Sequence, residues 1–188
     1  MKIKFDKPML MIHEFKDEYL NLPLGDYILT FDDGLYTQYK YFDELLKFKT
    51  LMVFSISTNI ICDVDLIQKD DFIHSHDAHL KAFSGNYENY MNEFQIKEIL
   101  NTDGCIVAGH GHTHSKISNI ERLIDKVKFI KDDSKKMFDY FHEHFNYRPN
   151  IFCFPYNNEY MFYKGILREN YNIEYFIGDG RISIENLL

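Results

Sequence analysis

The chain has 188 residues, with 21 Lys+Arg against 29 Asp+Glu and a formal net charge of −8. Hydrophobic residues make up 45% and charged residues 27%, which is enough apolar surface for a buried core and excludes a chain disordered throughout. The acidic balance, with no Lys/Arg-rich run, argues against a nucleic-acid partner, since phosphate binding needs a cationic footprint.

The length suits one domain, 1–188. Residues 1–8 break up their apolar side chains with charges, and the run Met9–Ile12 is too short for a signal-peptide core or a membrane span. Cys62, Cys105 and Cys153 are widely spaced, with no Cys-x-x-Cys pair. They are expected to pack as small apolar side chains in a reducing compartment, so a cytoplasmic protein is expected.

Short apolar runs alternate with amphipathic ones. Met9–Ile12 and Tyr27–Phe31 read as buried strands. From about Tyr36 to Lys49, residues Tyr39, Phe42, Leu45 and Leu46 share a helical face. Leu51–Ile56 reads as a strand. Residues 62–91 show little periodicity and are rich in Asp, His, Asn and Tyr, the mark of an insertion or functional loop. A helix near Glu93–Leu100 and a strand Cys105–Ala108 follow. A capping-box spacing at Ser118-Asn-Ile-Glu121 predicts a helix start, with apolar residues recurring from Ile120 through Phe145 and Pro149 as the stop. Ile151–Phe154 and Ile173–Phe176 read as strands around a helix near Glu159–Asn170. This repetition implies parallel strands with crossover helices, an α/β fold whose chemistry sits at the carboxyl ends of strands.

Three strand ends carry suggestive residues. One is Thr30-Phe-Asp-Asp-Gly34, where adjacent carboxylates repel unless a cation or proton lies between them. The next is Gly109-His-Gly-His-Thr-His114, three imidazoles within five residues, a pattern that points to a zinc-type ion. The third is Phe152-Cys-Phe-Pro-Tyr156, an ordinary strand exit on its own.

In this order the three segments resemble the first three motifs of the polysaccharide deacetylase family, also called the NodB-homology domain or carbohydrate esterase family 4. The resemblance implies an irregular (β/α) barrel of about seven strands, NodB-like, here with an insertion near residues 62–91. It implies one divalent metal ion, usually zinc, held by Asp33, His110 and His114. It further implies Asp32 as the general base acting on metal-bound water, and the backbone N–H of Tyr156 as an oxyanion donor. His112 falls at a variable position of the motif and is read as a neighbour of the ligands. The implied activity is removal of an N-acetyl group from an amino sugar, an intracellular precursor of a surface polysaccharide. Alternatives are hydrolysis of another C–N bond, such as a formamide or cyclic amide, and a carbohydrate-binding or regulatory protein that has lost catalysis.

The chain departs from the family pattern in places. Cys153 or Phe154 stands where an Arg often orients the catalytic Asp, Gly111 replaces the usual hydroxyl residue, Ser115 the usual Pro, and Asn157 the usual Gly. No histidine occurs after His144, so the late Leu-x-His motif that supplies the family's general acid is absent. His13, just past the first strand, is proposed as the substitute acid. Arg181 is read as a surface residue, with a charge-orienting or substrate-binding role as the alternative. His74, His76 and His79 of the insertion are read as substrate contacts or a solvated loop, with a second metal site as the alternative, and His142 and His144 as last-turn helix residues without a catalytic role.

Overall fold

The computed structural model describes residues 3–69 and 71–188. Its elements in chain order are β1 (Met9–Ile12), β2 (Ile28–Phe31), α1 (Tyr36–Lys40), α2 (Phe42–Leu46), β3 (Met52–Ile56), α3 (Ser75–Phe83), α4 (Glu93–Leu100), β4 (Cys105–Gly109), α5 (Leu123–Phe145), β5 (Ile151–Cys153), α6 (Met161–Tyr171), β6 (Tyr175–Ile177) and β7 (Ile182–Ser183). The strand order is β6-β5-β4-β3-β2-β1-β7. The pairings of β1 with β2 and β7, of β2 with β3, and of β5 with β4 and β6 are all parallel. Parallel neighbours require crossover connections, which is why helices punctuate the strands.

Two compact units divide the chain. One comprises the chain up to Phe54, Ile61–Ile106 and Gly180–Leu188; the other comprises Ser55–Ile60 and Val107–Asp179. In the first, every residue of β2 is buried, as expected of a parallel strand covered on both faces. The register pairs Ile12 with Phe31 and Phe31 with Phe54. The Phe31 and Phe54 rings stack at 4.6 Å, and Phe42 meets Phe54 edge-on at 5.9 Å. Each such buried side chain contributes about 1.5–3 kcal/mol of burial. In the second unit, α5 buries Ile130, Met137, Phe138 and Phe141. Phe138 stacks on Tyr171 of α6 at 4.1 Å, and Phe152, Phe154 and Tyr163 form a ring triangle with 5.2 Å sides. The helix ends at Asn146, whose left-handed φ of 46° closes it, with Pro149 just beyond.

The expected elements differ from the observed ones in several places. The helix expected over 36–49 breaks at Tyr41 into α1 and α2, an arrangement that buries both Gln38 and Phe42. The start expected at Ser118 does not form: Ile117–Asn119 is a 3-10 turn, the Ser118 N–H donates to Asn158 Oδ1 at 3.1 Å, and α5 begins at Leu123. Leu123 and Ile124 are exposed, so the apolar series is core only from Ile130 onward. The capping box sits instead at Asn92 and Gln95, opening α4. Within the insertion, residues 75–83 form α3, which periodicity did not reveal. Among the described residues no helix is long and apolar enough to cross a membrane.

Phe141, wholly buried on α5, tests the packing of the second unit. Phe141→Ala is expected to lower unfolding stability by roughly 3–5 kcal/mol in urea titration, whereas Ile124→Ala on the exposed first turn of the same helix should stay within about 0.5 kcal/mol of the parent.

Candidate active site and metal centre

In the first unit, the register of Ile12 with Phe31 sets His13 and Asp32 at the same carboxyl end of β1 and β2. Gln38, fully buried on α1, donates from Nε2 to the His13 carbonyl at 2.6 Å and to the Asp32 carbonyl at 2.5 Å, tying these two strand exits together. The chain then turns through two successive left-handed residues, Asp33 (φ 75°) and Gly34 (φ 81°). For a residue with a Cβ this conformation costs about 1–3 kcal/mol and persists only where the surroundings enforce it. Here the Met91 N–H donates to the Gly34 carbonyl at 2.9 Å, and the Tyr36 N–H to the Asn89 carbonyl at 2.7 Å.

Asp32 and Asp33 are both 2% exposed. Their charges meet different partners. Asp32 Oδ1 accepts from an Arg181 guanidinium nitrogen at 2.8 Å. The same nitrogen donates to Thr30 Oγ1 at 3.1 Å, and that hydroxyl in turn donates to the Leu10 carbonyl at 2.9 Å. Arg181 is therefore not a surface residue: its side chain is 3% exposed, drawn in because β7, which it precedes, pairs with β1. Its guanidinium fixes the direction of the buried Asp32 carboxylate and supplies a counter-charge beside it. Asp33 Oδ2 lies 3.1 Å from Nε2 of His79, a buried residue of α3. His79 is thus neither solvated nor part of an open loop, unlike His76, which is exposed, and His74, whose Nδ1 contacts Glu14 Oε1 at 2.8 Å.

In the second unit, β4 delivers His110 directly. Gly109 gives the Met137 thioether room, since a Cβ there would come within 2.8 Å of the sulfur and the methionine end would have to shift. The His110 N–H donates to the Ile56 carbonyl at 3.0 Å, and Ser57 Oγ donates to the His110 carbonyl at 2.8 Å. His110 Nδ1 faces the Cys153 carbonyl at 2.9 Å. A carbonyl only accepts, so Nδ1 carries the proton, and in a neutral imidazole Nε2 then carries the lone pair, the tautomer a metal ligand needs. This gives the loose third motif a role through its backbone.

Asp133, buried at mid-helix on α5, holds the histidine segment. It accepts from the His112 N–H at 2.8 Å, the Thr113 N–H at 3.0 Å and Thr113 Oγ1 at 2.7 Å. Gly111, at φ 77°, lets this carboxylate approach, since a Cβ would sit 3.0 Å from Asp133 Oδ2. Sequence reasoning missed Asp133. Its signal was a carboxylate interrupting the apolar stripe between Ile130 and Met137. His112 Nδ1 lies 2.8 Å from Thr58 Oγ1, and burial pushes its imidazole below the usual histidine range while Asp133 opposes the shift. His114 is buried with a left-handed φ of 51°, its ring 5.0 Å from that of His110 and 4.8 Å from that of Tyr156. Tyr156 is itself left-handed (φ 55°) within the turn Pro155–Asn157. Asp33, His114 and Tyr156, three residues picked out by the motifs, therefore all hold strained backbone, a feature that collects at functional sites.

The donor chemistry suits a divalent cation. In the first unit Asp33 and His79 offer a buried carboxylate and a buried imidazole, and in the second His110 and His114 offer two buried imidazoles, donor types that divalent cations take. The thiols are poor candidates: burial pushes Cys105 up to about 12 and raises Cys62 as well.

Asp133→Ala removes three hydrogen bonds to a charged acceptor, each worth about 1.5–3 kcal/mol. The expected outcome is a clear fall in the unfolding midpoint, read by denaturant titration.

No family model matches the sequence, and no curated protein is similar to it in sequence. Solved structures do match. IcaB from Ammonifex degensii superposes with a TM-score of 0.64 at 16% identity, over 94% of this chain and 90% of its own. The deacetylase domain of BpsB from Bordetella bronchiseptica gives 0.65 at 13%, over 94% of each chain. A de-N-acetylase from Aggregatibacter actinomycetemcomitans gives 0.66 at 12%, over 97% of this chain and 99% of its own. The chain thus has the fold of the polysaccharide deacetylases, the NodB-like (β/α) barrel that its three motifs resemble.

Proposed function

We propose that this protein is a metal-dependent hydrolase that removes an N-acetyl group from an amino sugar. The observation that carries the reading is the pair of buried carboxylates ending β2, one bound by a guanidinium and the other facing an imidazole. The fold shared with a de-N-acetylase supports the choice of acyl group. Asp33, His110 and His114 would hold the cation. When bound, such an ion polarises an amide carbonyl and lowers the pKa of water.

The remaining work falls to the chain. Asp32 takes the proton of the attacking water, and Arg181, itself anchored on Thr30 Oγ1, fixes the direction of its carboxylate. The backbone N–H of Tyr156 donates to the oxygen that gains negative charge. His13, half-buried beside Asp32 at the exits of β1 and β2, gives the proton that the departing amine needs. The substrate is an N-acylated sugar or a sugar-containing precursor.

Acetate release from N-acetylglucosamine oligomers, followed alongside metal content, tests this. The purified protein should carry one divalent cation and lose activity on chelation. Asp32→Asn should keep the ion and lower turnover about 10²–10⁴-fold. His13→Gln should keep the ion and also slow turnover; unchanged turnover would remove His13 from the scheme. Retained metal with no acetate released across a panel of N-acetyl amino sugars would overturn the assignment.

A further inference from the structure

His79 lies outside all three motifs, on a helix of the insertion. The inner face of α3 is Ala78, His79 and Ala82, so this imidazole is the only large polar group that the helix buries. A buried imidazole is costly unless both nitrogens are satisfied. Nδ1 lies 3.0 Å from the Tyr90 hydroxyl and Nε2 lies 3.1 Å from Asp33 Oδ2.

All the members of this chain of contacts are held firmly. Tyr90 is 1% exposed, and its backbone forms an antiparallel bridge with Leu35, two residues beyond Asp33. The first turn of α3 is docked by Glu14, whose Oε2 accepts from the Ser75 N–H at 3.2 Å while Oε1 meets His74 Nδ1 at 2.8 Å.

A neutral imidazole has one N–H and one lone pair. In one arrangement Nε2–H donates to Asp33 and the phenol donates to Nδ1. In the other, Nδ1–H donates to the phenol oxygen, and the Nε2 lone pair and the Asp33 oxygen converge as two donors. A cation selects the second, with the phenol taking the orienting place that the Cys153 carbonyl takes for His110. Two donors on one ion at about 2.1 Å stand roughly 3.0 Å apart at right angles and roughly 3.4 Å apart at tetrahedral ones, a range that includes the 3.1 Å seen between Nε2 and Oδ2.

We infer that His79, carried by the insertion, is a further protein ligand of the cation held at Asp33. The inference rests on the proposed function and sharpens it. Four protein donors would fill a tetrahedral ion, so an open position for substrate requires an ion that takes five or six ligands, such as manganese, iron, cobalt or nickel.

Counting imidazoles on the bound ion decides the matter. X-ray absorption of the cobalt-loaded protein should fit three imidazoles, and two in His79→Ala and in His79→Gln. The glutamine variant keeps a polar group on α3 in case alanine impairs folding. Cobalt affinity should fall more than 100-fold in both, with the circular dichroism spectrum retained, while His76→Ala on the exposed face of α3 behaves as the parent. Two imidazoles in parent and variants alike would overturn the inference, leaving His79 as a hydrogen-bond donor to Asp33 and the proposed function intact. A folded parent that binds no cobalt, manganese, iron, nickel or zinc would overturn the proposed function, and this inference with it.

Discussion

Two neighbouring carboxylates, each almost wholly buried, end a single strand. Leaving either one ionised without a counter-charge costs several kcal/mol, because removal from water is repaid only by close opposite charge and well-formed hydrogen bonds. Asp32 meets that demand through Arg181 and Thr30. Asp33 faces His79, and in the proposed function a divalent cation adds a further counter-charge. The rest of the local structure serves this arrangement: Gln38 locks the strand exits, and the end of the insertion clamps the turn that carries Asp33.

The division between Asp32 and Asp33 has a backbone cause. Successive left-handed residues at Asp33 and Gly34 take the chain out of strand conformation immediately after Asp32. His114 and Tyr156 adopt the same strained region in the second unit, where Asp133 and the segment after β3 hold the histidines. Each unit therefore holds strained backbone at positions where its motif residues stand.

The strands were legible because parallel strands buried on both faces leave continuous apolar runs, as in Ile28–Phe31 and Met52–Ile56. The strand ends were legible because carboxylates and imidazoles stood where such runs stop. Other features lacked a local signal. The inner face of α3 is two alanines and a histidine, too weakly apolar to register as periodicity, and β7 has only two residues. The Ser118 spacing matched a capping box, yet its N–H binds Asn158, a residue 40 positions away. Arg181 and Asp32 are separated by 149 positions, so only strand pairing between β1 and β7 reveals them as partners.

Thermal unfolding of the metal-stripped protein, with and without added cation, tests the central claim most directly. If a cation completes the charge balance at Asp33, excess zinc or cobalt should raise the midpoint of the parent, by mass action on the folded state. Asp33→Asn, which removes the charge but keeps the shape, should abolish that rise and leave the metal-free protein at least as stable as the metal-free parent. A rise of equal size in Asp33→Asn, or none in the parent, would contradict a cation-balanced Asp33.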